Sequence, residues 1–273
     1  MRNLVGSMLR LVPWGMRDRI RRVPGVAALQ RAIVARTIDG HSFDHTVDAG
    51  PAQGITFHIA MPEDKGIWTG TYEIEFATAL AACVTRGAPA YDIGSWHGFF
   101  AGVMAAQGAS AVHVFEPLPA NADRIRRLVT LNPERSITLH ACAVGDRDAE
   151  MDLMIMPETS MAKLEASSFQ AGETSAERVR VKLVSLDSVI AAGAAPPPAL
   201  MKIDVEGAEI MVLNGAAATI RAHRPAIFAE VHSSDLLRQF RAFLEPIGYA
   251  VSHLDTDAEE ARRKDVFQVK AIA

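Results

Sequence analysis

The sequence predicts a doubly wound α/β fold with a mostly parallel sheet, and two observations predict it. From residue 88 onward, short and nearly continuous apolar runs alternate with segments of helical periodicity, which is the pattern of parallel strands covered by helices on both faces. The last two runs, 249–254 and 265–273, have no helical segment between them and suit an antiparallel hairpin at the C-terminal edge. The predicted parallel strands are APAYDIG (88–94), AVHVFEP (111–117), SITLHACAV (136–144), ALMKIDV (199–205) and AIFAEVH (226–232).

The remaining elements follow from the same two periodicities. Residues 54–60 predict a strand, and apolar positions at helical spacing predict a helix over residues 71–86. Runs at 150–156 and 178–184 predict two further strands around a polar stretch, 159–177, which we expect to be a mobile loop. Four more predicted helices each follow a strand, at residues 99–107, 119–131, 207–222 and 234–245.

The charge distribution predicts a basic segment in front of an acidic α/β domain. Residues 1–40 contain eight Arg and two acids, Asp18 and Asp39, and so have a charge of +6. Because the net charge of the whole chain is −4, the remaining residues have a charge of −10. We expect a basic amphipathic helical extension over residues 1–40 and one α/β domain over residues 41–273. Two interpretations of the extension stay open. It docks on a membrane surface or a partner, or it packs on its own domain or on the second subunit of a homodimer.

Composition excludes several classes of protein. Cys83 and Cys142 are the two cysteines, which excludes a disulfide framework and a cysteine-rich zinc site and fits a reducing compartment. No apolar run approaches the roughly 18 to 20 residues that span a bilayer. A basic head on an acidic body also argues against a nucleic-acid-binding core. We therefore expect a cytoplasmic protein, with peripheral membrane contact through residues 1–40 as the alternative.

The first predicted parallel strand enters its helix through a turn that runs from Asp92 to Gly98. In doubly wound sheets, ligands bind beyond the carboxyl ends of the strands, where the strand order reverses. Gly94 permits a tight turn, and Gly98 admits a ligand close to the helix start, whose free N–H groups favour a carboxylate. Asp92 can accept hydrogen bonds from an ammonium group. These residues favour a ligand with an amino acid moiety, as in S-adenosylmethionine (SAM).

An acid at the end of the second strand predicts a ribose contact. Glu116 lies 24 residues after Asp92, where an acid can bind both ribose hydroxyls. The same acid is expected for NAD(P), but the spacing of Gly94 and Gly98 is not the G-x-G-x-x-G of a dinucleotide site, and Asp92 would repel a pyrophosphate. The turn, the acid and the topology together favour SAM, and an NAD(P)-dependent oxidoreductase stays as the alternative.

Six sequence blocks between residues 88 and 232 are typical of one enzyme family. They are YDIGSWHGFFA, VHVFEPLPANADRIRRLVTLN, HACAVGD, VSLDSVI, ALMKIDVEGAEIMVLNGA and RPAIFAEVH, and the most distinctive parts are KIDVEGAE and FEPLP. In these blocks, and in their order, the chain resembles the FkbM-type family of SAM-dependent methyltransferases, which have a Rossmann-like class I fold. The stretch GIWTGTYE (66–73) is similar to the segment that leads into the family's core.

The resemblance implies a role for each matching residue. The chain departs from the family at Ser95-Trp96, where members usually have Ala-Asn, so Trp96 either shifts the nucleotide or covers part of the pocket. His97 is also unusual for the family. The implied cofactor site has Asp92, Gly94, Ser95 and Gly98 at the methionine end, Glu116 on the ribose with Pro117 beside it, and Ala143 and Val144 at the adenine.

Four ionisable residues end two neighbouring predicted strands. Asp204 and Glu206 follow one strand, and Glu230 and His232 end the next. Methyl transfer to a hydroxyl requires a base as the proton leaves, and we predict that Asp204, His232 or Glu206 acts there, with His232 ordinarily titrating near neutrality. Glu230 is predicted to contact the substrate. Two alternatives stay open: Lys202 and Glu230 form a buried ion pair, or Asp204, Glu230 and His232 bind Mg²⁺ or Mn²⁺.

Several further residues are candidates for contact with the methyl acceptor. His97 lies in the ligand turn and is predicted to face the substrate. His113 and His140 lie within strands, where we expect core residues with satisfied hydrogen bonds. Core packing is the alternative for the aromatic candidates. Three residues that precede the core are predicted to close over the site: Trp68, Tyr72 and Glu73.

These observations predict a SAM-dependent methyltransferase that O-methylates a hydroxyl of a sugar, glycan or other polar metabolite. The acceptor class follows from the family resemblance alone. No NPPY-like motif ends the fourth strand, which disfavours methylation of a nucleic-acid amine. Besides the NAD(P)-dependent oxidoreductase, a non-catalytic SAM- or nucleotide-binding protein that docks through its N-terminal arm remains an alternative.

Overall fold

The structure is a computed structural model, and most of the chain is described. The predicted helical extension lies outside the described residues except for residue 40, and so does most of the predicted loop over residues 159–177. Their conformations stay predictions. The described ranges are residues 40–155, 162–164, 177–254 and 258–273.

The described residues fall into two units. One unit contains residues 40–43 and 59–65, and the other contains residues 44–58 and everything described from residue 66 onward. Every residue of the site described below belongs to the second unit. No described helix combines the length and the apolar character needed to cross a membrane.

The described elements alternate between strands and helices over most of their length. In chain order they are β1 (Ser42–Thr46), β2 (Thr56–Ala60), α1 (Lys65–Thr69), α2 (Ile74–Cys83), β3 (Ala90–Ile93), α3 (Phe99–Ala106), β4 (Val112–Phe115), α4 (Pro119–Leu131), β5 (Ile137–His140), β6 (Ala143–Val144), β7 (Ala149–Ile155), β8 (Ala162–Leu164), β9 (Glu177–Val184), α5 (Leu186–Ala191), β10 (Leu200–Ile203), α6 (Glu209–Gly215), α7 (Ala217–His223), β11 (Ala226–Val231), α8 (Ser234–Leu244), a 3₁₀ turn (Glu245–Ile247), β12 (Ala250–His253), α9 (Ala258–Lys264) and β13 (Phe267–Ile272).

A seven-stranded, mostly parallel sheet confirms the predicted fold class. Its strand order is β12-β13-β11-β10-β3-β4-β5. The strand β13 runs antiparallel to both of its neighbours, and the other pairs are parallel. Every residue of β3, β4 and β10 is buried, as expected for strands covered on both faces.

The predicted antiparallel pair at the C-terminal edge is confirmed, but its expected helix-free connection is wrong. Helix α9 lies between β12 and β13, over a sequence, AEEARRK, that consists of strong helix formers. In the sheet, β13 lies between β11 and β12, so β12 is the edge strand.

Two predicted elements are divided. The run 136–144 forms β5 in the central sheet and β6 in a separate four-stranded sheet of order β6-β9-β7-β8. The predicted helix over residues 207–222 breaks into α6 and α7. At the break, a β-carbon on Gly215 would lie 1.8 Å from the carbonyl oxygen of Gly145, so this helix end packs directly on backbone.

The strand order reverses between β3 and β10. From β3 the chain proceeds through β4 and β5 to one edge, whereas β10 is followed by β11 on the other side. The two strands are paired in register, with Ile93 opposite Ile203, so both end at the same level. Helices that leave the two strands diverge at this point, which opens a crevice at the carboxyl edge of the sheet.

Candidate active site

A cleft opens at the carboxyl ends of β3, β4 and β10. Its atom-free space, including the part open to solvent, amounts to about 640 Å³. Three carboxylates line it, those of Glu116, Asp204 and Glu206, and the described lining residues include neither Lys nor Arg. Gly94, Trp96 and Pro117 also line the cleft, and its apolar wall includes Ala143, Val144 and Leu153.

Asp92 lies beneath the turn rather than in the cleft. Its Oδ2 accepts hydrogen bonds from Ser95 Oγ at 2.5 Å and from the N–H of Ala101, in the first turn of α3, at 2.9 Å. Its Oδ1 lies 3.7 Å from Lys202 Nζ. Complete burial raises the pKa of Asp92 despite this cation. Asp92 hydrogen-bonds to the start of α3 and Ser95 hydrogen-bonds to Asp92, and neither residue lines the cleft. The direct ligand contacts expected of them stay predictions.

Gly98 serves packing at the start of α3. Its φ of +84° is a conformation that favours glycine, and a β-carbon there would lie 2.7 Å from Cδ2 of Leu128 on α4. A side chain at this position would therefore meet α4, and the expected approach of a ligand to Gly98 stays a prediction. Gly94, in contrast, lines the cleft itself, with a φ of +72°.

Glu116 is held rigidly at the end of β4. Its Oε2 accepts a hydrogen bond from the N–H of Trp96 at 2.9 Å. Its Oε1 accepts from the N–H of Leu118 at 3.0 Å and from Asn121 Nδ2 at 3.3 Å. Burial outweighs these donors and raises the pKa of Glu116 to about 7. Three donors therefore fix the orientation of this carboxylate at the end of β4, and its contact with a ribose stays a prediction.

Aromatic rings form one wall beside the turn. Trp96 lines the cleft with a φ of +52° and stacks on His97, with ring centroids 3.7 Å apart. The ring of Tyr72 meets His97 edge-on at 5.4 Å and Phe99 at 5.0 Å. His97 is only 5% exposed and does not line the cleft, and its expected contact with a substrate stays a prediction. Trp68, on α1, is half-buried and does not line the cleft either.

Four carboxylates surround the imidazole of His232 at the ends of β10 and β11. On one side, His232 Nδ1 lies 2.7 Å from Glu209 Oε1, a fully buried group. On the other side, His232 Nε2 lies 3.3 Å from Glu206 Oε2, 3.6 Å from Glu230 Oε1 and 3.8 Å from Asp204 Oδ1. We call these five residues the acidic centre; two of them, Asp204 and Glu206, also line the cleft.

Neighbouring donors orient the acidic centre. Lys202 is 3% exposed, and its Nζ donates to the carbonyl of Gly94 at 2.8 Å and to Asp204 Oδ2 at 3.2 Å. The predicted pair of Lys202 with Glu230 is therefore replaced by pairs with Asp204 and Asp92, which stands directly opposite Lys202 on β3. The amide of Gln268, on β13, lies within hydrogen-bond distance of both Glu230, at 3.3 Å, and Glu73, at 3.2 Å.

Burial and mutual repulsion shift the protonation of the acidic centre. Burial raises the pKa of Glu206 and of Glu230 to about 7 each, and Asp204 adds to both shifts. Burial alone would lower the pKa of His232, but the Glu209 hydrogen bond and the surrounding carboxylates outweigh it and raise that pKa to about 9. At neutral pH the acidic centre therefore binds more protons than the same side chains would bind in water.

The comparison of sequences decides the family. The chain matches the family described as Methyltransferase FkbM domain over residues 87–251, more than half of its length. The chain belongs to the FkbM methyltransferase family. The matched segment begins just before β3 and ends within β12, so it contains the cleft and the whole acidic centre. The resemblance noted in the sequence is confirmed. No curated protein matches the chain.

Three solved structures are similar to this FkbM chain at low sequence identity. The FkbM methyltransferase of Methylobacillus flagellatus KT is 20% identical, with a TM-score of 0.47 over 67% of this chain and 43% of that chain, so this chain spans less than half of that protein. The precorrin-6y C5,15-methyltransferase of Geobacter metallireducens GS-15 is 15% identical, with a TM-score of 0.46 over 80% and 94% of the two chains. The tRNA (uracil-54, C5)-methyltransferase of Pyrococcus abyssi, in complex with S-adenosyl-L-homocysteine, is 11% identical, with a TM-score of 0.46 over 85% and 44%.

The FkbM fold brings most of the sequence-predicted site residues together. Those predicted for catalysis meet at the acidic centre, and those predicted for the ribose and adenine line the cleft; their roles stay predictions. Sequence reasoning did not identify Glu209 as a partner of His232 or Gln268 as a partner of Glu230. Glu209 lies within the distinctive motif KIDVEGAE, which is a usable signal. Gln268 carries no sequence signal, because its place depends on the long-range pairing of β13 with β11.

Proposed function

We propose that this protein is a SAM-dependent methyltransferase that transfers a methyl group to a hydroxyl of a sugar, glycan or other polar metabolite. The observation that carries the proposal is the charge of the cleft. Its ionisable lining residues are the carboxylates of Glu116, Asp204 and Glu206, at the switch point of an FkbM domain. SAM carries a sulfonium and an ammonium, and both cations suit such a lining.

The residues of the cleft fit the parts of SAM. Glu116 presents a carboxylate at the end of β4, where an acid can accept hydrogen bonds from both ribose hydroxyls. Ala143, Val144 and Leu153 offer an apolar surface for an adenine ring. Bound there, SAM supplies a methyl group on a cationic sulfur. The solved relative from Pyrococcus abyssi holds the corresponding product, S-adenosyl-L-homocysteine, which agrees with this choice of cofactor.

The same charges disfavour a nicotinamide cofactor. A pyrophosphate is an anion that usually binds to helix N–H groups or to Lys and Arg. The N–H of Ala101, in the first turn of α3, donates to Asp92 beneath the turn, and the described residues that line the cleft offer three carboxylates and no basic side chain. Electrostatic repulsion would therefore oppose NAD(P), and no specific observation favours the oxidoreductase alternative.

The acidic centre is suited to handle the acceptor hydroxyl. The transfer forms an O–CH₃ bond and breaks an S–CH₃ bond in line, and the hydroxyl proton passes to a base of the protein. Asp204, Glu206 and His232 are the candidates, because they lie at the carboxyl edge of the sheet beside the cleft. Tyr72 and Glu73 lie nearby, and Glu73 reaches Glu230 through Gln268, so both are candidates for holding the acceptor.

A product assay tests the proposal. Purified protein is incubated with SAM and a panel of sugar and glycan acceptors, and S-adenosylhomocysteine is quantified against reactions without acceptor. We expect acceptor-dependent product, at least about tenfold less product from Glu116→Ala, and no change in Glu150→Ala, which alters an exposed acid on β7. Tight SAM binding without product from any acceptor would contradict the enzyme proposal and favour a non-catalytic SAM-binding protein.

A further inference from the structure

Three residues of the acidic centre have the side chains of a metal site. Asp204, Glu230 and His232 each offer one ligand atom, and these atoms all lie within 4.8 Å of one another. The distances from His232 Nε2 are 3.8 Å to Asp204 Oδ1 and 3.6 Å to Glu230 Oε1. All three side chains are less than one-third exposed, at 30%, 27% and 3%. This is not a cluster of acids at the surface.

The remaining polar atom of each of these three side chains has its own partner. Lys202 Nζ donates to Asp204 Oδ2 at 3.2 Å. Gln268 Nε2 donates to Glu230 Oε2 at 3.3 Å. Glu209 Oε1 lies 2.7 Å from His232 Nδ1.

Such partners orient a ligand set before an ion binds. A carboxylate on the second nitrogen of an imidazole selects the tautomer whose first nitrogen is a ligand, and hydrogen bonds to ligating carboxylates fix their rotamers. Here each of the three partners comes from outside the ligand trio: Lys202 from β10, Gln268 from β13 and Glu209 from α6. Three separate elements therefore turn one oxygen or nitrogen of each ligand toward the same region.

We propose that Asp204, Glu230 and His232 bind a divalent cation of the Mg²⁺ or Mn²⁺ class. Ligand atoms about 2.1–2.3 Å from an ion lie about 3–3.5 Å apart when adjacent. The three atoms here lie within 4.8 Å of one another, so they would converge when they close onto an ion. Two carboxylate oxygens and one imidazole nitrogen on one side of an octahedral ion leave its remaining positions for water or substrate oxygens.

The local charge balance agrees with a bound cation. Five carboxylates lie in or beside the centre, from Glu73, Asp204, Glu206, Glu209 and Glu230. Among the described residues, His232 and Lys202 contact these carboxylates, and Lys202 also lies 3.7 Å from Asp92. A divalent ion bound among the carboxylates would balance their negative charge without a proton.

The role of the ion, though not the site itself, rests on the proposed methyl transfer. Asp204 lines the cleft and is also a ligand, so an ion at this position would lie beside the proposed cofactor site. It would hold two neighbouring oxygens of a diol acceptor and make the reacting hydroxyl easier to deprotonate. The acceptor class that follows is a vicinal diol, as in a sugar ring.

Binding of Mn²⁺ to the purified full chain tests the site without any assay of activity. Equilibrium dialysis and electron paramagnetic resonance measure stoichiometry and affinity, and pulsed resonance detects nitrogen coupling from an imidazole ligand. We expect one Mn²⁺ per chain at sub-millimolar concentration, with nitrogen coupling that is lost in His232→Gln. Asp204→Asn and Glu230→Gln each weaken binding at least about tenfold, and Glu209→Gln, which leaves all three ligands, weakens it about tenfold.

Two exposed positions supply matched controls, Asp44→Asn and Glu150→Gln, which leave Mn²⁺ affinity unchanged. Circular dichroism verifies that each variant folds, and Glu230→Gln replaces Asp204→Asn if the latter does not. No Mn²⁺ bound at 1 mM, or binding that lacks nitrogen coupling and is unaffected by these ligand variants, would overturn the proposal. Calorimetric binding of SAM is measured on the same samples, so failure of the metal site is distinguished from failure of the cofactor assignment.

Discussion

A β-carbon on Gly94 would lie 1.7 Å from the backbone carbonyl oxygen of Asp204. Gly94 is the turn residue after β3, and Asp204 follows β10, the neighbouring strand across the point where the strand order reverses. The turn that lines the cofactor cleft and the residue that begins the acidic centre are therefore in direct backbone contact. In addition, the backbone carbonyl of Gly94 accepts a hydrogen bond from Lys202, whose side chain also donates to Asp204.

The Gly94→Ala substitution is expected to destabilise the fold severely. The added methyl group would collide with backbone, which cannot rotate away, and alanine would also have to adopt a φ of +72°. We expect a loss of at least about 3 kcal/mol in the free energy of unfolding, measured by urea denaturation.

Gly193→Ala is the matched control. Gly193 has a similar φ of +70°, but nothing lies within 4 Å of the position of its β-carbon. Its substitution should lower the free energy of unfolding only by the cost of placing alanine at a positive φ, about 1 kcal/mol. Equal losses for the two variants would mean that contact with Asp204 does not constrain the turn.

The stability of the free protein should fall as pH rises through the titration of Glu116. Burial raises the pKa of Glu116 from 4.5 to about 7, so the folded state holds a proton between these values that the unfolded state has released. The stabilisation that this proton gives the folded state is fully present below pH 4.5 and is lost as pH rises through 7. It amounts to at most on the order of 3 kcal/mol in the free energy of unfolding. Urea denaturation between pH 4.5 and 8 should show a flatter profile for Glu116→Gln than for the wild type, and identical profiles would contradict the assignment.

SAM affinity should have the opposite dependence on pH. In the proposed complex the ribose hydroxyls would donate to the ionised carboxylate of Glu116, whose pKa is about 7, so the carboxylate is fully ionised only well above pH 7. Calorimetric titrations should therefore give tighter binding at pH 8 than at pH 6, by several-fold. Glu116→Gln should bind weakly at both values. An affinity for the wild type that does not change over this range would exclude Glu116 as the ribose contact.

The paired imidazoles of His113 and His140 should contribute to acid sensitivity. His113 Nδ1 and His140 Nε2 lie 2.9 Å apart and share one hydrogen bond. His113 is buried, as predicted for a core residue, whereas His140 is half-buried on the edge strand β5. Burial, together with His140, lowers the pKa of His113 from 6.5 to about 4. The stability contributed by neutral His113 is present above pH 6.5 and is lost as pH falls through 4. His113→Phe should make the fall in melting temperature between pH 6.5 and 4 shallower; an equally steep fall would contradict this.

The Trp96→Asn substitution should lower the affinity for SAM without lowering the stability of the fold. Asparagine is the usual residue at this position in FkbM relatives by resemblance, and it tolerates the φ of +52° better than tryptophan does. We expect unchanged or slightly higher thermal stability. Because Trp96 lines the cleft, SAM affinity should fall severalfold. A large loss of stability would show that the stacking of Trp96 on His97 is needed for folding.

Local patterns predicted the parts of the site that lie at strand ends. Glu116, Asp204 and His232 end nearly continuous apolar runs, and parallel strands bring such ends to one edge, so their proximity follows from the sequence. Local patterns did not predict contacts between strands or within the turn. Lys202 pairs with Asp92 because these residues are opposite each other across β10 and β3. In the turn, Trp96 has a left-handed backbone and lines the cleft, whereas His97 is buried and does not.

The central claim is that the acidic cleft binds SAM, and parallel calorimetric titrations of the wild-type protein with SAM and NADH test it most directly. The cleft is lined by Glu116, Asp204 and Glu206. We predict micromolar binding of SAM, most of which is lost in Glu116→Ala, and no binding of NADH. Binding of NADH in preference to SAM would contradict the account, because it would place an anionic pyrophosphate among three carboxylates.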